Sequence, residues 1–319
     1  MTANKATVGG SRIVSVGTAL PDEVLSNADF ERMMDTSDEW IRTRTGIRER
    51  RVGGTTTSLA IEAGRQALDR AGTDPATIDL VVVATQTPDD LCPSTAAGVQ
   101  HGLGLDCGAF DLNAACAGFS YAVVTAHAML AMGLRAALVV GVDRMTAATN
   151  YDDRGTAILF GDGAGAVVLE AASDTSRGVL GWDVGTDGSR PEILRSGITD
   201  GRISGVEMDG KALFKVMVRY AVQSARSALE VAGVGVDDLT AVLAHQANQR
   251  ILDAVSDRLG LSPEMVPTVI EYTGNTSAAS VPLALDAAVG DGRIRSGDRV
   301  LLLGFGGGLS WASTVAVWN

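Results

Sequence analysis

Residues 111–119 read Asp-Leu-Asn-Ala-Ala-Cys-Ala-Gly-Phe and place Cys116 between an apolar run and a long Ala-rich stretch at 118–132. The apolar run predicts a strand and the Ala-rich stretch a helix, so Cys116 lies at a strand-to-helix junction. The positive end of a helix dipole favours the thiolate, which is the nucleophilic form of cysteine. We therefore take Cys116 as a candidate nucleophile, although a cysteine in such a segment is more often a small buried hydrophobe.

Two motifs far downstream contain polar partners for such a thiol. His245 opens His-Gln-Ala-Asn-Gln-Arg at 245–250, and Asn275 lies in Gly-Asn-Thr-Ser-Ala-Ala-Ser at 274–280. A Cys, a His and an Asn in separate loop-flanked motifs are the parts of a cysteine-based acyl-transfer site. Taken singly, a His at a strand end is as often structural, and an Asn after Gly can simply be a turn residue.

Apolar runs alternate with helical patterns along the whole chain, which predicts an α/β fold with largely parallel sheets covered on both faces. The polar stretch at 171–177 divides this pattern, so we predict two halves, 1–175 with the Cys and 176–319 with the His and Asn. The predicted strands are 12–17, 80–85, 109–112, 136–142, 164–169, 178–185, 239–244, 266–269, 300–304 and 314–318. The predicted helices are 58–71, 95–103, 118–132, 210–232, 248–259 and 278–289.

Composition excludes several classes of protein. The 319 residues carry a net charge of -12 with few aromatics, which argues against nucleic-acid binding. No apolar run approaches the ~18 residues of a membrane span, and the start of the chain lacks a signal-peptide core. The three cysteines show no disulfide or metal-site spacing, so we expect no metal and a reducing cytoplasm.

Each of two glycine-rich segments can be interpreted either as a binding loop or as a structural turn. The segment 161–165 lacks the Lys-Ser/Thr of a phosphate loop and precedes a strand, so we interpret it as a structural turn. Gly306–Gly308 offers backbone N–H groups with no side chain in the way, which suits an oxyanion hole as well as a tight turn.

Together the motifs resemble β-ketoacyl-acyl carrier protein synthase III, a condensing enzyme of the thiolase superfamily, and the resemblance runs nearly end to end. It implies a thiolase-like five-layered α-β-α-β-α fold built from two related halves, and a homodimer. The order and spacing of the motifs carry the resemblance, at 36–41, 43–50, 114–119, 153–156, 160–166, 245–248, 274–277 and 306–308.

The resemblance also implies a reaction. Cys116 would attack the thioester of an acyl-coenzyme A primer, and malonyl-acyl carrier protein would then lose carbon dioxide and attack the acyl-enzyme. His245 and Asn275 would donate hydrogen bonds to the enolate, and the N–H groups of Cys116 and Gly307 would hold the oxyanion. Coenzyme A thioesters are substrates here, and no cofactor is expected.

Further residues receive binding roles by the same resemblance. Trp40 would stack on the adenine of coenzyme A, Phe119 would form an apolar wall, and Cys92 would close the acyl pocket from across the dimer interface. Some family members have Phe where this chain has Cys92, so the acyl primer stays open. The residues expected near the phosphates and pantetheine are Arg44, Arg154, Lys215, Asn248 and Arg250.

Three alternative functions remain open at this point. A same-fold acyltransferase acting on an alcohol or amine would not need Asn275 for decarboxylation. A thiolase or hydroxymethylglutaryl-type synthase would usually carry a second catalytic Cys, and this chain has none after Cys116. A non-catalytic partner subunit would have lost Cys116.

Overall fold

The computed structural model describes residues 10–199 and 202–319. The strands are β1 (Gly10–Ala19), β2 (Glu23–Ser26), β3 (Glu49–Val52), β4 (Ile78–Ala84), β5 (Gly108–Leu112), β6 (Ala136–Arg144), β7 (Asp162–Ala172), β8 (Val179–Thr186), β9 (Leu194–Arg195), β10 (Ile198–Thr199), β11 (Arg202–Ile203), β12 (Glu207–Met208), β13 (Ala241–Ala244), β14 (Arg299–Gly306) and β15 (Ser310–Val317). The helices are α1 (Asn27–Met33), α2 (Asp38–Thr45), α3 (Thr56–Ala71), α4 (Thr95–Gly102), α5 (Gly118–Ala131), α6 (Arg154–Ala157), α7 (Gly210–Ala232), α8 (Gln249–Leu259), α9 (Ile270–Thr273) and α10 (Ser280–Gly290).

Two sheets and three layers of helix form the body of the molecule. One sheet has the order β1-β7-β6-β4-β5 and the other β13-β14-β15-β8. Helices α5 and α10 lie between the sheets, α3 and α4 cover the outer face of the first sheet, and α7 and α8 cover that of the second. The predicted five-layered α-β-α-β-α arrangement is therefore confirmed.

The central strands between the helix layers are continuous apolar runs apart from a charged residue near the start. Strand β4 reads Ile-Asp-Leu-Val-Val-Val-Ala and β14 reads Arg-Val-Leu-Leu-Leu-Gly-Phe-Gly, as expected for strands covered on both faces. Glycine allows each outer helix to approach an edge strand closely. A Cβ on Gly17 of β1 would lie 2.3 Å from the backbone of α3, and one on Gly181 of β8 would lie 2.5 Å from the backbone of α7.

The strands of the first sheet lie within residues 10–172 and those of the second within 179–317. The division into related halves at 175/176 stays a prediction. No helix in the described ranges is both long and apolar enough to span a bilayer.

The expectation of largely parallel sheets is wrong. Strand β4 is parallel to β5 and β6, and β13 is parallel to β14, but the other pairs within the two sheets are antiparallel. The short turn Gly307–Leu309 joins β14 directly to β15, and so short a connection allows only antiparallel pairing.

The predicted strand at 266–269 is also wrong, because this segment is held by a side chain instead of a sheet. Pro267 has no N–H to donate to a ladder. Its carbonyl accepts from Nε2 of Gln246 at 3.5 Å, and the N–H of Val269 donates to Oε1 of the same side chain at 3.1 Å. The remaining predicted strands and helices are present, with ends shifted by up to four residues.

An N-terminal arm packs beside the two sheets. Strands β2 and β3 pair with each other, and α1 and α2 bury Phe30 and Ile41 against a cluster that includes Ile158 and Ile270. This arm was not predicted from the sequence pattern, and it places α2 beside the start of α8.

Candidate active site

Two matching turns meet at the centre of the molecule. The 3₁₀ turn Ala115–Ala117 leads into α5, and the 3₁₀ turn Ser277–Ala279 leads into α10. Each turn begins with a non-glycine residue in the left-handed region, Ala115 at φ 48° and Ser277 at φ 51°. Such residues are uncommon, and their conformation is a reservoir of strain typical of functional sites. The hydroxyl of Ser277 donates to Sγ of Cys116 at 3.3 Å, which joins the two turns.

The thiol of Cys116 lies against the turn that follows β14. The backbone N–H groups of Gly307 and of Cys116 itself lie near its sulfur and act to lower the pKa of the thiol. A Cβ on Gly306 would lie 2.7 Å from Cβ of Cys116 and 3.0 Å from its Sγ, so glycine is required there. Two N–H groups beside the sulfur can serve as donors to an oxyanion that forms next to it, so the predicted oxyanion hole stays a prediction.

Burial raises the pKa of the Cys116 thiol to about 11, and the charge of Asp143 acts in the same direction. The hydroxyl of Ser277 and the two N–H groups oppose this shift. The helix dipole was expected to favour the thiolate, and desolvation acts in the opposite direction. Helix α5 itself begins only at Gly118.

Asp143 is fully buried at the end of β6 and ties the second turn to the first sheet. It accepts hydrogen bonds from the hydroxyls of Thr85 (3.0 Å) and Thr87 (2.9 Å) and from the N–H groups of Gln86 (2.8 Å) and Ala278 (3.2 Å). Burial raises its pKa despite these donors. The carboxyl group thus holds Ala278, and with it Ser277, at a fixed place beside Cys116.

His245 directly follows β13, where its N–H donates to the carbonyl of Leu303 at 2.8 Å. Its Nδ1 lies 2.7 Å from Oγ of Ser280, and its ring meets the ring of Phe305 edge to face at 5.3 Å. Burial lowers the pKa of the imidazole to about 3, so His245 is neutral at physiological pH.

Asn275 lies in a loop that is fastened at both sides. Its backbone N–H donates to the carbonyl of Leu159 at 2.8 Å, and its own carbonyl accepts from the N–H of Gly161 at 3.1 Å. The side-chain Oδ1 accepts a hydrogen bond from the N–H of Ser277 at 2.9 Å. This bond identifies the amide oxygen, so the other atom of the amide is the nitrogen. That nitrogen lies 3.5 Å from the carbonyl of Ala247.

The structure brings the three predicted reactive residues, Cys116, His245 and Asn275, to one cavity of about 390 Å³, which Gly307 and Asn248 also line. Such a cavity has room for an extended apolar substrate with a polar reacting centre. Its apolar lining consists of Met145, Leu159, Phe160, Leu194, Val206, Met208, Leu213, Met217, Ile251 and Phe305.

Trp40, Arg44 and Arg154 form a separate cluster, which we call the tryptophan clamp. The guanidinium carbons of Arg44 and Arg154 lie 4.4 and 4.8 Å from the centre of the indole ring. Helix α2 carries this Trp and packs on α8, where a Cβ on Gly46 would lie 2.8 Å from Cβ of Gln249. The helix that carries Trp40 therefore contacts the start of α8, which directly follows Asn248 of the cavity lining.

None of the other predicted binding residues lines the cavity. Lys215 and Arg250 are exposed, and the guanidinium carbon of Arg250 lies 5.8 Å from the ring centre of Phe214. Phe119 is fully buried in the core between the sheets, and Cys92 is exposed; neither lines the cavity. Their roles stay predictions.

Sequence reasoning missed four polar residues of the site, Ser277, Ser280, Gln86 and Asp143. Nε2 of Gln86 donates to the hydroxyl of Ser277 at 2.8 Å, and this hydroxyl in turn faces Cys116. The serines belong to the quoted 274–280 motif, but the motif alone does not show which hydroxyl faces which group. Within the described ranges, no three His, Cys, Asp or Glu side chains are grouped as a metal site.

Two family models match the chain. Residues 110–188 match 3-oxoacyl-(acyl-carrier-protein (ACP)) synthase III, and residues 229–318 match the C-terminal model of the same family. A β-ketoacyl-(acyl-carrier-protein) synthase III from Roseiflexus sp. (strain RS-1) is 47% identical over 95% of this chain and 97% of that protein. The enzyme of the same name from Rhizobium meliloti (strain 1021) is 45% identical over 95% of this chain and 97% of its own.

Solved structures agree with these matches. The 3-oxoacyl-(acyl-carrier-protein) synthase III of Aquifex aeolicus VF5 superposes with a TM-score of 0.92 at 40% identity, covering 97% of this chain and 100% of the other. The priming β-ketosynthase of the R1128 polyketide biosynthetic pathway gives 0.93 at 41% identity, covering 98% and 97%.

Proposed function

We propose that this chain, which belongs to the β-ketoacyl-(acyl-carrier-protein) synthase III family, joins an acyl-coenzyme A primer to malonyl-acyl carrier protein with loss of carbon dioxide. The product is a β-ketoacyl-acyl carrier protein, which begins a fatty-acid or polyketide chain. The observation that carries this proposal is the convergence of Cys116, His245 and Asn275 on one cavity.

Acyl transfer is the first half-reaction, and Cys116 is its nucleophile. Its Sγ attacks the thioester carbon of the primer, the N–H groups of Cys116 and Gly307 hold the resulting oxyanion, and the coenzyme A sulfur leaves with the thiol proton. The raised pKa of Cys116 keeps the thiol protonated and unreactive until its proton is removed.

Decarboxylation is the second half-reaction, and it needs donors to a developing enolate. The malonyl thioester oxygen takes hydrogen bonds from His245 and from the amide of Asn275, carbon dioxide leaves, and the new carbanion attacks the acyl group on Cys116. Preorganised donors of this kind are typically worth about 3–4 kcal/mol each. The Cys116 sulfur is released when the new carbon–carbon bond forms.

We assign coenzyme A binding to the tryptophan clamp. An indole face suits stacking on adenine, and Arg44 and Arg154, already against that ring, place positive charge where phosphates would lie. Lys215 and Arg250 extend this positive charge on an otherwise acidic protein. Neither half-reaction needs a cofactor.

A homodimer through the edge of β5 would complete the acyl pocket. Among the described residues, strand β5 pairs with β4 alone, and its Phe110 and Leu112 are half-buried, so an apolar strand edge is left open there. Leu91 is 85% exposed next to Cys92. A partner chain on this edge would cover these residues and bring Cys92 toward the partner's cavity.

The three free cysteines and the coenzyme A thioester substrate are in keeping with a reducing cytoplasm. We therefore place the enzyme there.

Release of carbon dioxide from malonyl-acyl carrier protein, measured with a panel of acyl-coenzyme A primers, tests the proposal. The expected result is primer-dependent release together with a β-ketoacyl-acyl carrier protein seen by mass spectrometry. Acylation of Cys116 followed by transfer to an alcohol or amine, with no carbon dioxide, would identify the chain as a simple acyltransferase.

A further inference from the structure

Ser280, the first residue of α10, is fully buried against the imidazole of His245. Its Oγ lies 2.7 Å from Nδ1 of His245 and 2.8 Å from the carbonyl of Ser277, and it accepts from the N–H of Gln246 at 3.2 Å. The hydroxyl has a single proton. It can donate that proton either to the carbonyl of Ser277 or to Nδ1 of His245. The two arrangements require different tautomers of the imidazole.

The imidazole is neutral, so only one of its two nitrogens carries a proton. The other group next to the ring, the carbonyl of Ser277, can only accept a hydrogen bond. If Nδ1 carries the proton, Nε2 has a lone pair and cannot donate to an enolate. If the Ser280 hydroxyl donates to Nδ1, the ring proton is on Nε2, the nitrogen that Ser280 leaves free.

We propose that Ser280 is a positioning residue that sets the tautomer of His245, its hydroxyl donating to Nδ1 so that Nε2–H is available to the substrate oxygen. The inference rests on the proposed function for its purpose, since only the decarboxylation step needs a donor at this nitrogen. The hydroxyl makes no contact with the thiol, and Ser277 alone of the two serines reaches Cys116. Ser280 therefore acts on the second half-reaction through His245.

Nitrogen NMR of the imidazoles tests the tautomer without any substrate. The chain has only three histidines, so the signals of His245 are those that disappear in His245→Asn. We expect the Nε2–H form in the wild type and a shift to the Nδ1–H form in Ser280→Ala, where the carbonyl of Ser277 is the remaining partner. An Nδ1–H form in the wild type, or an unchanged Nε2–H form in Ser280→Ala, would overturn the inference.

Separate assays of the two half-reactions test its consequence. Ser280→Ala should acylate Cys116 at a rate within a few-fold of wild type but release carbon dioxide about 10²-fold more slowly, as expected on losing one preorganised donor. Ser280→Thr keeps the hydroxyl and should restore most of the release. Equal losses in both half-reactions would show a merely structural role and contradict the inference.

A matched control separates these effects from the loss of any buried hydroxyl. Ser224 of α7 is also fully buried, with its Oγ 2.8 Å from Oγ of Ser313, in the layer outside the second sheet. Ser224→Ala should change neither the tautomer nor the ratio of the two rates. If Ser280→Thr does not fold, the tautomer of His245 measured in Ser280→Ala decides whether the inference holds. A wild type that releases no carbon dioxide would refute the proposed function but leave the tautomer result standing.

Discussion

The turn at Ala115–Ala117 and the turn at Ser277–Ala279 share a backbone conformation but differ in the polarity of their side chains. Both are 3₁₀ turns that begin with a left-handed non-glycine residue and lead into a helix of the central layer. In the first turn, Cys116 lies between two alanines, Ala115 and Ala117, and its thiol is the one reactive group. The second is polar, and Asp143 and Gln86 hold it in place.

In the proposed reaction, this difference assigns the two half-reactions to different turns. In that proposal the first turn contributes the thiol and the N–H group of Cys116 to acyl transfer, and burial raises the pKa of this thiol. Asn275 and Ser280 flank the second turn and His245 lies against it, so in the proposed reaction this turn organises the donors for the enolate. We therefore expect substitutions on the two sides to affect different half-reactions.

The largest effect is expected from removing the nucleophile of the first turn. Cys116→Ser should lower acyl-enzyme formation by about 10⁴-fold or more, because a serine hydroxyl without an adjacent base is a far weaker nucleophile. Intact-mass spectrometry after incubation with acyl-coenzyme A measures this. Cys107→Ser is the control and should keep the adduct; a stable acyl adduct on Cys92 or Cys107 would show that the first turn is not the acyl site.

The pH dependence of alkylation tests the burial of the first turn. The pKa of Cys116 is raised to about 11, so the thiolate fraction at neutral pH is about 10²-fold lower than for a thiol at the ordinary value of 9.0. The rate of alkylation by a small neutral reagent, followed by peptide mass spectrometry, should rise about tenfold per pH unit up to at least pH 9. A plateau below pH 8 would mean that the resting site holds a thiolate.

Substitution of Gly306 tests the packing behind the first turn. The Cβ of Gly306→Ala would press on Cys116, and a displacement of about 1 Å can cost roughly 10²-fold, so acylation should fall by about 10- to 100-fold.

Gly307→Ala is the matched control, because its Cβ would lie 3.5 Å from Cβ of Ala115, an ordinary contact. It should lose clearly less than Gly306→Ala in single-turnover acylation. Equal losses in the two variants would show that the close approach at Gly306 does not position the thiol.

The smallest effect concerns the acyl group that the first turn accepts. If a partner chain brings Cys92 to the end of the acyl pocket, Cys92→Phe should fill it, since overpacking costs about 1–3 kcal/mol. We expect kcat/KM for branched or medium-chain primers to fall at least tenfold more than for acetyl-coenzyme A. Equal losses for short and long primers would show that residue 92 does not set the pocket depth.

Much of this molecule could be predicted from the sequence because its strands are continuous apolar runs between helical patterns. The segment 266–269 was wrongly predicted as a strand, because Val266, Thr268 and Val269 are typical strand residues. In the structure, the side chain of Gln246 supplies the hydrogen bonds of this segment. The prediction of largely parallel sheets failed for pairs such as β6 and β7, which are antiparallel. Local sequence does not show which strands are neighbours in a sheet.

The candidate site was predictable where one residue type stands out. Cys116, His245 and Asn275 each belong to a distinct motif, and all three line the cavity. Ser277 and Ser280 are two of several small polar residues in one motif, and only the folded turn separates their roles. The raised pKa of Cys116 was not predicted, because burial depends on β14 and on the second turn, both far away in sequence.

Single-turnover analysis of Asn275→Ala tests the division of labour between the two turns most directly. The acyl-enzyme is first formed with acyl-coenzyme A and quantified by mass, and malonyl-acyl carrier protein is then added while carbon dioxide is measured. We predict substantial acylation of Cys116 and a loss of carbon dioxide release by about two to three orders of magnitude, with His245→Ala behaving alike. Release at the wild-type rate from Asn275→Ala would contradict the account.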